Sequence, residues 1–459
     1  MKVVNPATEY LLRDLDEDDA ESVAEKAAAA HQAQPAWART PLQTRCEIVR
    51  RFGSLLSERK ETLARTLTSE MGKPIRQSRN ELTAMQTRIG FFLEHTERAI
   101  GDEVVYTSAD QSSRLDEVIR YEPLGVVANI SAWNYPYFVG SNVFLPALLT
   151  GNTVLYKPSE HATLTGLAIA DLFHEAGLPN DVFIPIVGAA DAGAALLAQD
   201  IDAVFFTGSY ATGRRIAESV APRLIRVQLE LGGKDPAYVC DDVDVSAAAA
   251  ALADGAFYNA GQSCCAVERI YVEKGALEPF VEAFLATVAG FKLGDPEDSS
   301  TYIGPLARAP QLELLSRQIA DAVQRGARVL TGGQRVGRKG NYFQPTVIAS
   351  ADNSMRVMRD ESFGPIIGIA AVDDDDDALR QMNDTEYGLT AGVYTRDRAR
   401  AEALLSRVDS GSVYWNCCDR VSPRLPWTGR RHSGLGSTLS THGIRSFLQP
   451  KAWHLRNPQ

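Results

Sequence analysis

Cys264 is the side chain best placed by its neighbours to do chemistry. It stands in Gly261-Gln262-Ser263-Cys264-Cys265-Ala266, between a small-residue helix and the apolar run Ile270-Tyr271-Val272, with Glu230-Leu231-Gly232-Gly233-Lys234 upstream. A cysteine by itself is more often a small buried hydrophobe than a nucleophile. Joined by a carboxylate and loop glycines it suits covalent catalysis: a thiolate to attack, a base for the following step, and backbone that comes close to the reacting atoms.

Three further segments carry polar groups at strand ends. Ala203-Val204-Phe205-Phe206-Thr207-Gly208-Ser209-Tyr210-Ala211-Thr212-Gly213 runs from a strand through glycines into the helical Arg214 to Val220, which points free N–H groups at an anion such as phosphate. It is not the GxGxxG fingerprint, and such a turn also occurs as plain connection. Val154-Leu155-Tyr156-Lys157-Pro158-Ser159-Glu160 is a second strand ending at a helix start, where Lys157 and Glu160 can hold sugar hydroxyls or serve as a snorkelling lysine and a first-turn glutamate. In Ser131-Ala132-Trp133-Asn134-Tyr135-Pro136, Asn134 is either an oxyanion donor at a strand's carboxyl end or a turn residue before a proline.

Composition narrows the classes. A chain of 459 residues, 45% apolar and 23% charged, is a folded protein of two or three domains. Its 58 acidic against 47 basic residues give a net charge of −11, which disfavours nucleic acid or an anionic membrane as the main partner. Six cysteines without a CxxC pair and seven histidines without HxxxH support neither zinc nor a disulfide framework, so no metal is expected. The amino end lacks an apolar h-region and no apolar stretch spans a bilayer, so the expected location is the cytoplasm.

The elements that must position these residues follow from periodicity. From about Glu17 to Ile100 apolar residues recur every three or four positions, which predicts packed amphipathic helices. From Leu124 onward short runs (Val126 to Ile130, Thr153 to Tyr156, Val182 to Val187, Ala203 to Phe206, Val227 to Leu229) alternate with helical stretches, one starting near Ser159, as buried parallel strands do. After Gly233 a second series begins, with a helix from Val245 to Tyr258, strands around Ile270, Val329, Ile366, Val393 and Val413, and a helix from Arg398 to Val408. The acidic run Asp373 to Asp377 reads as a solvated helix start, with a metal site as the remote alternative. The fold class is α/β. The expected division is a cofactor-binding domain from 1–103 and 124–232, a catalytic domain from 233–430, and bridging segments 104–123 and 443–459 that reach a partner subunit.

In this order, the segments around Asn134, Lys157, Ser209, Glu230 and Cys264 resemble the NAD(P)-dependent aldehyde dehydrogenase superfamily. So do Asn5-Pro6-Ala7-Thr8, Glu70-Met71-Gly72-Lys73-Pro74, Glu361-Ser362-Phe363-Gly364-Pro365, Asn383-Asp384-Thr385-Glu386-Tyr387-Gly388-Leu389 and Ser433-Gly434-Leu435-Gly436. The resemblance implies a Rossmann-like cofactor domain, a second α/β catalytic domain and a small β bridging region, assembled as homodimer or homotetramer. It implies Cys264 as nucleophile, Glu230 as the carboxylate that activates water, and Asn134 with the Cys264 N–H as oxyanion donors. Lys157 and Glu160 would bind the adenosine ribose, Gly208 and Ser209 the pyrophosphate, Glu361 the nicotinamide ribose, and Phe363 would pack near the nicotinamide.

The reaction implied is oxidation of an aldehyde to a carboxylic acid through a cysteine thiohemiacetal and thioester. NAD is the expected coenzyme because Glu160 would repel a 2′-phosphate, with NADP also possible. Two positions depart from the pattern: Asp235 stands where the family usually has asparagine, and Tyr210-Ala211 where many relatives have threonine and an acid. The rival readings are a CoA-acylating semialdehyde dehydrogenase, disfavoured by Glu230, and a non-catalytic binding protein of the same fold. Tyr135, Tyr137 and Phe138 point to an aromatic-lined tunnel, and Arg420 and Arg424 to attraction of a carboxylate; the chain alone does not rank these two.

Overall fold

The computed structural model describes residues 1–109 and 114–457. Residues 110–113, within the expected bridging segment 104–123, and 458–459, at the end of 443–459, lie outside the described residues.

A short antiparallel pair, Lys2–Val4 with Leu11–Asp14, opens the chain and is followed by four helices: Ala20–Arg39, Leu42–Glu58, Lys60–Met71 and Ile75–Ile100. The last buries Leu82, Met85, Ile89 and Phe92 at intervals of three and four, one stripe of an amphipathic helix. Gly72, at φ +84°, ends the third helix in the left-handed conformation that glycine adopts without strain.

The first sheet has six strands in the order Gly434–Leu435, Arg226–Glu230, Ala203–Thr207, Val126–Ile130, Thr153–Lys157 and Phe183–Pro185. All pairs are parallel except the first, which is antiparallel. Every residue of Thr153–Lys157 is buried, and its centre, Val154-Leu155-Tyr156, is apolar, as in a strand covered on both faces. Successive strands step outward from Val126–Ile130 on one side; the chain then returns to add Ala203–Thr207 on the other. The crevice between these neighbours is a topological switch point, where open α/β sheets place ligands at the strands' carboxyl ends. Asn134 and Gly208-Ser209 follow these two strands.

The second sheet runs Arg328–Thr331, Thr346–Ala349, Ile366–Val372, Val267–Glu273, Asp235–Val239, Thr390–Tyr394 and Ser412–Trp415, parallel except for its first pair. A third sheet pairs Leu448–Arg456 antiparallel with Leu115–Pro123, which also pairs Glu103–Thr107.

Small departures from the periodicity have local causes. The helix expected near Ser159 begins at Thr163, because Ser159 to Ala162 first closes a turn with Ala162 N donating to Ser159 O at 2.9 Å. The helix expected to reach Val408 ends at Leu405. In the acidic run, Asp374 caps the helix Asp375–Asn383 by accepting from Asp377 N. Cys240, Glu273 and Asp375 form the one clustering of potential metal donors among the described residues. It is closed by the Arg400 guanidinium, which donates to Glu273 at 2.9 Å and to Asp375 at 2.6 Å.

Candidate active site

The loop before Cys264 is held in a strained conformation. Asn259, Ala260 and Gly261 all have left-handed backbone, at φ 54°, 54° and 71°; the two non-glycine residues cost on the order of 1–2 kcal/mol each and persist only where the surroundings enforce them. Here the surroundings are explicit. Asn259 Nδ2 donates to Gln262 O at 3.1 Å and to Asn134 O at 3.3 Å, and its N–H donates to Gln77 Oε1 at 2.9 Å. Gly261 is required for a second reason, since a Cβ there would lie 2.3 Å from Gly364 O.

Asn134 is tied to the same loop: its Nδ2 donates to Gln262 O at 3.1 Å, two residues before Cys264. The segment carrying Asn134 is fixed from below by Glu81, which accepts from Tyr137 N at 3.0 Å and Phe138 N at 3.1 Å, so capping the helix Pro136–Leu149. Glu81 in turn pairs with the buried Lys73 of the Glu70-Met71-Gly72-Lys73-Pro74 segment, whose ammonium lies 3.8 Å from the Tyr135 ring centroid.

On the opposite side of Cys264, Gly233 packs so closely that a Cβ would stand 2.9 Å from Cys264 O, and its N–H donates to Glu361 Oε1 at 3.2 Å. A Cβ on Gly232 would fall 2.2 Å from the same carboxylate. Burial, with Glu268 nearby, raises Glu361 to about 8. The turn bearing Glu361 is pinned from behind: Glu268 accepts from Ser362 N and Phe363 N, both at 2.9 Å, and from the buried Lys234 Nζ at 2.5 Å. Phe363, left-handed at φ 48°, packs edge-on against Trp133 with centroids 5.4 Å apart. Trp133 also meets His161, next to Glu160, at 6.2 Å.

Glu230 ends its strand and is buried. Thr438 Oγ1 donates to its Oε1, and Thr207 Oγ1 approaches Oε2 at 3.5 Å. Burial raises its carboxyl above the usual range, opposed by Thr438, Arg88, Asn142 and Thr207. Its own carbonyl accepts from Gly208 N at 3.0 Å, linking it to the glycine turn. Ser209 caps the helix Tyr210–Val220 through Thr212 N, and Tyr210 stacks on His432 with centroids 4.0 Å apart.

Lys157 is buried, yet among the described residues its ammonium makes one long bond, 3.4 Å to Pro158 O. Burial works against the charge of Glu160, but hydrogen bonds from its own backbone N–H and from Ser159, with the nearby charges of His161 and Lys157, more than offset this, leaving it below the usual range. Glu160 and His161 line a cavity of 570 Å³ whose other walls carry Asn5, Glu70, Arg308 and Asn341.

The aldehyde dehydrogenase family model matches residues 1–453. The chain belongs to the aldehyde dehydrogenase family. It is 34% identical over 460 aligned positions to lactaldehyde dehydrogenase of Escherichia coli K12, covering 99% of this chain and 95% of that one. The NADP-dependent succinate-semialdehyde dehydrogenase GabD of the same organism is 34% identical, with 98% and 93% covered. The solved structure of PnpE in complex with nicotinamide adenine dinucleotide superposes at TM-score 0.95, with 34% identity and 99% and 94% of the two chains covered. The expected fold, with its parallel sheets, is the one found, and the chain is an NAD(P)-dependent oxidoreductase acting on aldehydes.

In this aldehyde dehydrogenase, Asp235, which departs from the family's usual asparagine, accepts from Thr390 N at 3.1 Å and Thr390 Oγ1 at 2.6 Å, and burial raises its carboxyl well above the ordinary value. Tyr137, expected beside the substrate, is instead fully buried in the core, while the next residue, Phe138, turns to the other side of the helix. Arg420 and Arg424 are exposed on the loop that also carries Cys417 and Cys418. Asp419, next to them, accepts from Cys265 Sγ at 2.9 Å, and burial raises it to about 6. The positioning groups Glu81, Glu268 and Thr438 carry no local sequence signal. Arg88 does: it is an arginine on the apolar stripe of Ile75–Ile100.

Proposed function

We propose that Cys264, Asn134 and Glu230 carry the oxidation of the aldehyde, with the coenzyme held by Lys157, Glu160, Gly208, Ser209, Glu361 and Phe363. The observation that supports this most directly is the convergence on Cys264: Asn134 reaches its loop through Gln262, and Gly233 joins its backbone to Glu361. The dinucleotide fits these residues. Lys157 is a buried cation short of acceptors, Ser209 opens an eleven-residue helix at the switch point, and the Glu361 carboxyl is fixed against glycine backbone. When bound, NAD(P) supplies the hydride acceptor.

The Cys264 thiolate attacks the aldehyde carbon, and the oxygen that gains charge is held by Asn134 Nδ2 and the Cys264 N–H. One such donor contributes roughly 3–4 kcal/mol. Asn134 must turn its amide from Gln262 O toward that oxygen. After the oxidation a thioester remains on Cys264, and Glu230 takes a proton from the water that hydrolyses it. Burial holds the Glu230 carboxyl closer to neutrality than a free glutamate, which suits a base. The acid leaves and Cys264 is free again.

The reading includes a division into cofactor domain 1–103 with 124–232, catalytic domain 233–430 and bridging segments. It is supported by a six-stranded sheet drawn mainly from residues 126–230 and a seven-stranded one from 235–415. Assembly as homodimer or homotetramer is supported by the edge strand Glu103–Thr107, which exposes Val104, Val105 and Tyr106. A cytoplasmic location is supported by six unpaired thiols. No helix of the described residues is long and apolar enough to cross a membrane.

The test is an aldehyde panel with NAD and NADP, with and without CoA. Wild-type protein should form one acid per NAD(P)H, and Cys264→Ala should form neither. Acyl-CoA as the main product would overturn the hydrolytic role of Glu230.

A further inference from the structure

Arg88 lies on the helix Ile75–Ile100 and is 1% exposed. Its Nη1 donates to Phe138 O and Asn142 Oδ1, and its guanidinium lies 3.5 Å from the Phe138 ring centroid. Nε and Nη2, equally buried, have no hydrogen-bond partner among the described residues. The carboxylates that act on it are committed elsewhere: Glu81 to Lys73 and two backbone N–H groups, Glu230 to Thr438. A buried cation left without an adjacent anion is expensive, and such a group is normally paired.

A purely structural buried arginine looks different in this protein. Arg269, also fully buried, spends its nitrogens on the carbonyls of Lys234, Gln381 and Met382 at 2.8 to 3.2 Å and on the Tyr271 hydroxyl at 3.1 Å. The two nitrogens free on Arg88 form one edge of the guanidinium, the edge that grips a carboxylate with two parallel bonds. Arg79, about two and a half turns earlier on the same helix, does this to Glu61, with Nε and Nη2 each 2.8 Å from a carboxylate oxygen.

The location is that of the reaction. Phe138, in the first turn of the helix Pro136–Leu149, lies four residues after Asn134, and Asn142 on the same helix hydrogen-bonds both Arg88 and Glu230. We propose that Arg88 anchors a carboxylate on the substrate, so that this aldehyde dehydrogenase prefers short aliphatic aldehydes bearing a carboxylate at the far end. The inference rests on the assignment of Cys264 and Glu230 above. The competing arrangement is a cationic aldehyde drawn to Asp419, whose carboxyl lies against Cys265 and Ser263.

The experiment compares kcat/KM for succinate semialdehyde, butanal and 4-aminobutanal at one pH and saturating NAD, in wild type, Arg88→Gln and Arg88→Lys. Loss of one partner of a buried charged pair is worth a factor of about a hundred or more. The expected wild-type preference for the semialdehyde over butanal is of that order; Arg88→Gln brings the ratio near one, and Arg88→Lys falls between because it keeps charge without the fork. A wild-type ratio near one, a ratio unchanged in Arg88→Gln, or preference for 4-aminobutanal overturns the proposal.

Should Arg88→Gln not fold, wild-type protein decides: succinate should protect Cys264 from iodoacetamide better than butyramide at equal concentration, and equal protection overturns the proposal. Absence of NADH from every aldehyde, butanal included, defeats the Cys264 reading instead, so the two failures are distinct.

Discussion

Replacing Glu268 by glutamine should loosen the turn that carries Glu361 and Phe363. The Glu268 carboxylate accepts two backbone N–H groups, from Ser362 and Phe363, and pairs with Lys234 at 2.5 Å, with both side chains at most 5% exposed. An amide retains one acceptor oxygen for the backbone but turns its NH2 toward the Lys234 ammonium, leaving a buried charge without a counterion. Breaking a buried pair this way costs about 3–5 kcal/mol, a fall of roughly 6–20 °C in Tm for a cooperative unit of about 200 residues. Lys234→Met in the same protein removes the orphaned charge and should restore most of that loss. The functional consequence is separate: with Glu361 and Phe363 less fixed, KM for NAD(P) should rise about tenfold or more, in line with 1 Å-scale misplacement of a binding group. Thermal melts and coenzyme titrations of both single variants and the double variant complete a cycle. Glu268→Gln protein that melts within a degree or two of wild type with unchanged coenzyme KM would refute the role given to this pair.

Thr438→Val removes a hydrogen bond that favours the ionised form of Glu230, so its already raised carboxyl should move further up. The basic form is populated above that value, so the rising limb of the kcat–pH profile should shift to higher pH; a profile unmoved or shifted down contradicts this. Gly232→Ala places a methyl 2.2 Å from the Glu361 carboxylate and should weaken coenzyme binding far more than it changes the melting temperature, as read by fluorescence titration. Asn134→Ala should lower kcat about 10²- to 10³-fold with little change in coenzyme affinity, the range seen for loss of one oxyanion donor.

The sheets were readable in the chain because their strands are buried on both faces. Val126–Ile130, Thr153–Lys157 and Ala203–Thr207 are short apolar runs with polar residues at their carboxyl ends. The groups proposed to react stood out for the same reason, since Asn134, Glu230 and Cys264 interrupt small or apolar sequence with groups of definite chemistry. What holds them was hidden by distance: Thr438 meets Glu230 across 208 residues, and Ser362 meets Glu268 across 94. Glu268 in the chain is one more glutamate in a strand, and only the sheet register brings it beneath the Glu361 turn. Tyr137 and Phe138 are adjacent on a helix, about 100° apart, so only one of them can face Asn142 and Arg88, and an aromatic run does not reveal which.

The claim on which the rest depends is that a covalent acyl group passes through Cys264 and leaves by the action of Glu230. Rapid quenching of Glu230→Gln protein mixed with NAD and an aldehyde, followed by peptide mass spectrometry, reads it directly. The expected result is one equivalent of NADH formed in a burst and the acyl mass on the Cys264 peptide. Steady NADH production without an adduct, or the acyl mass on any other residue, would contradict it.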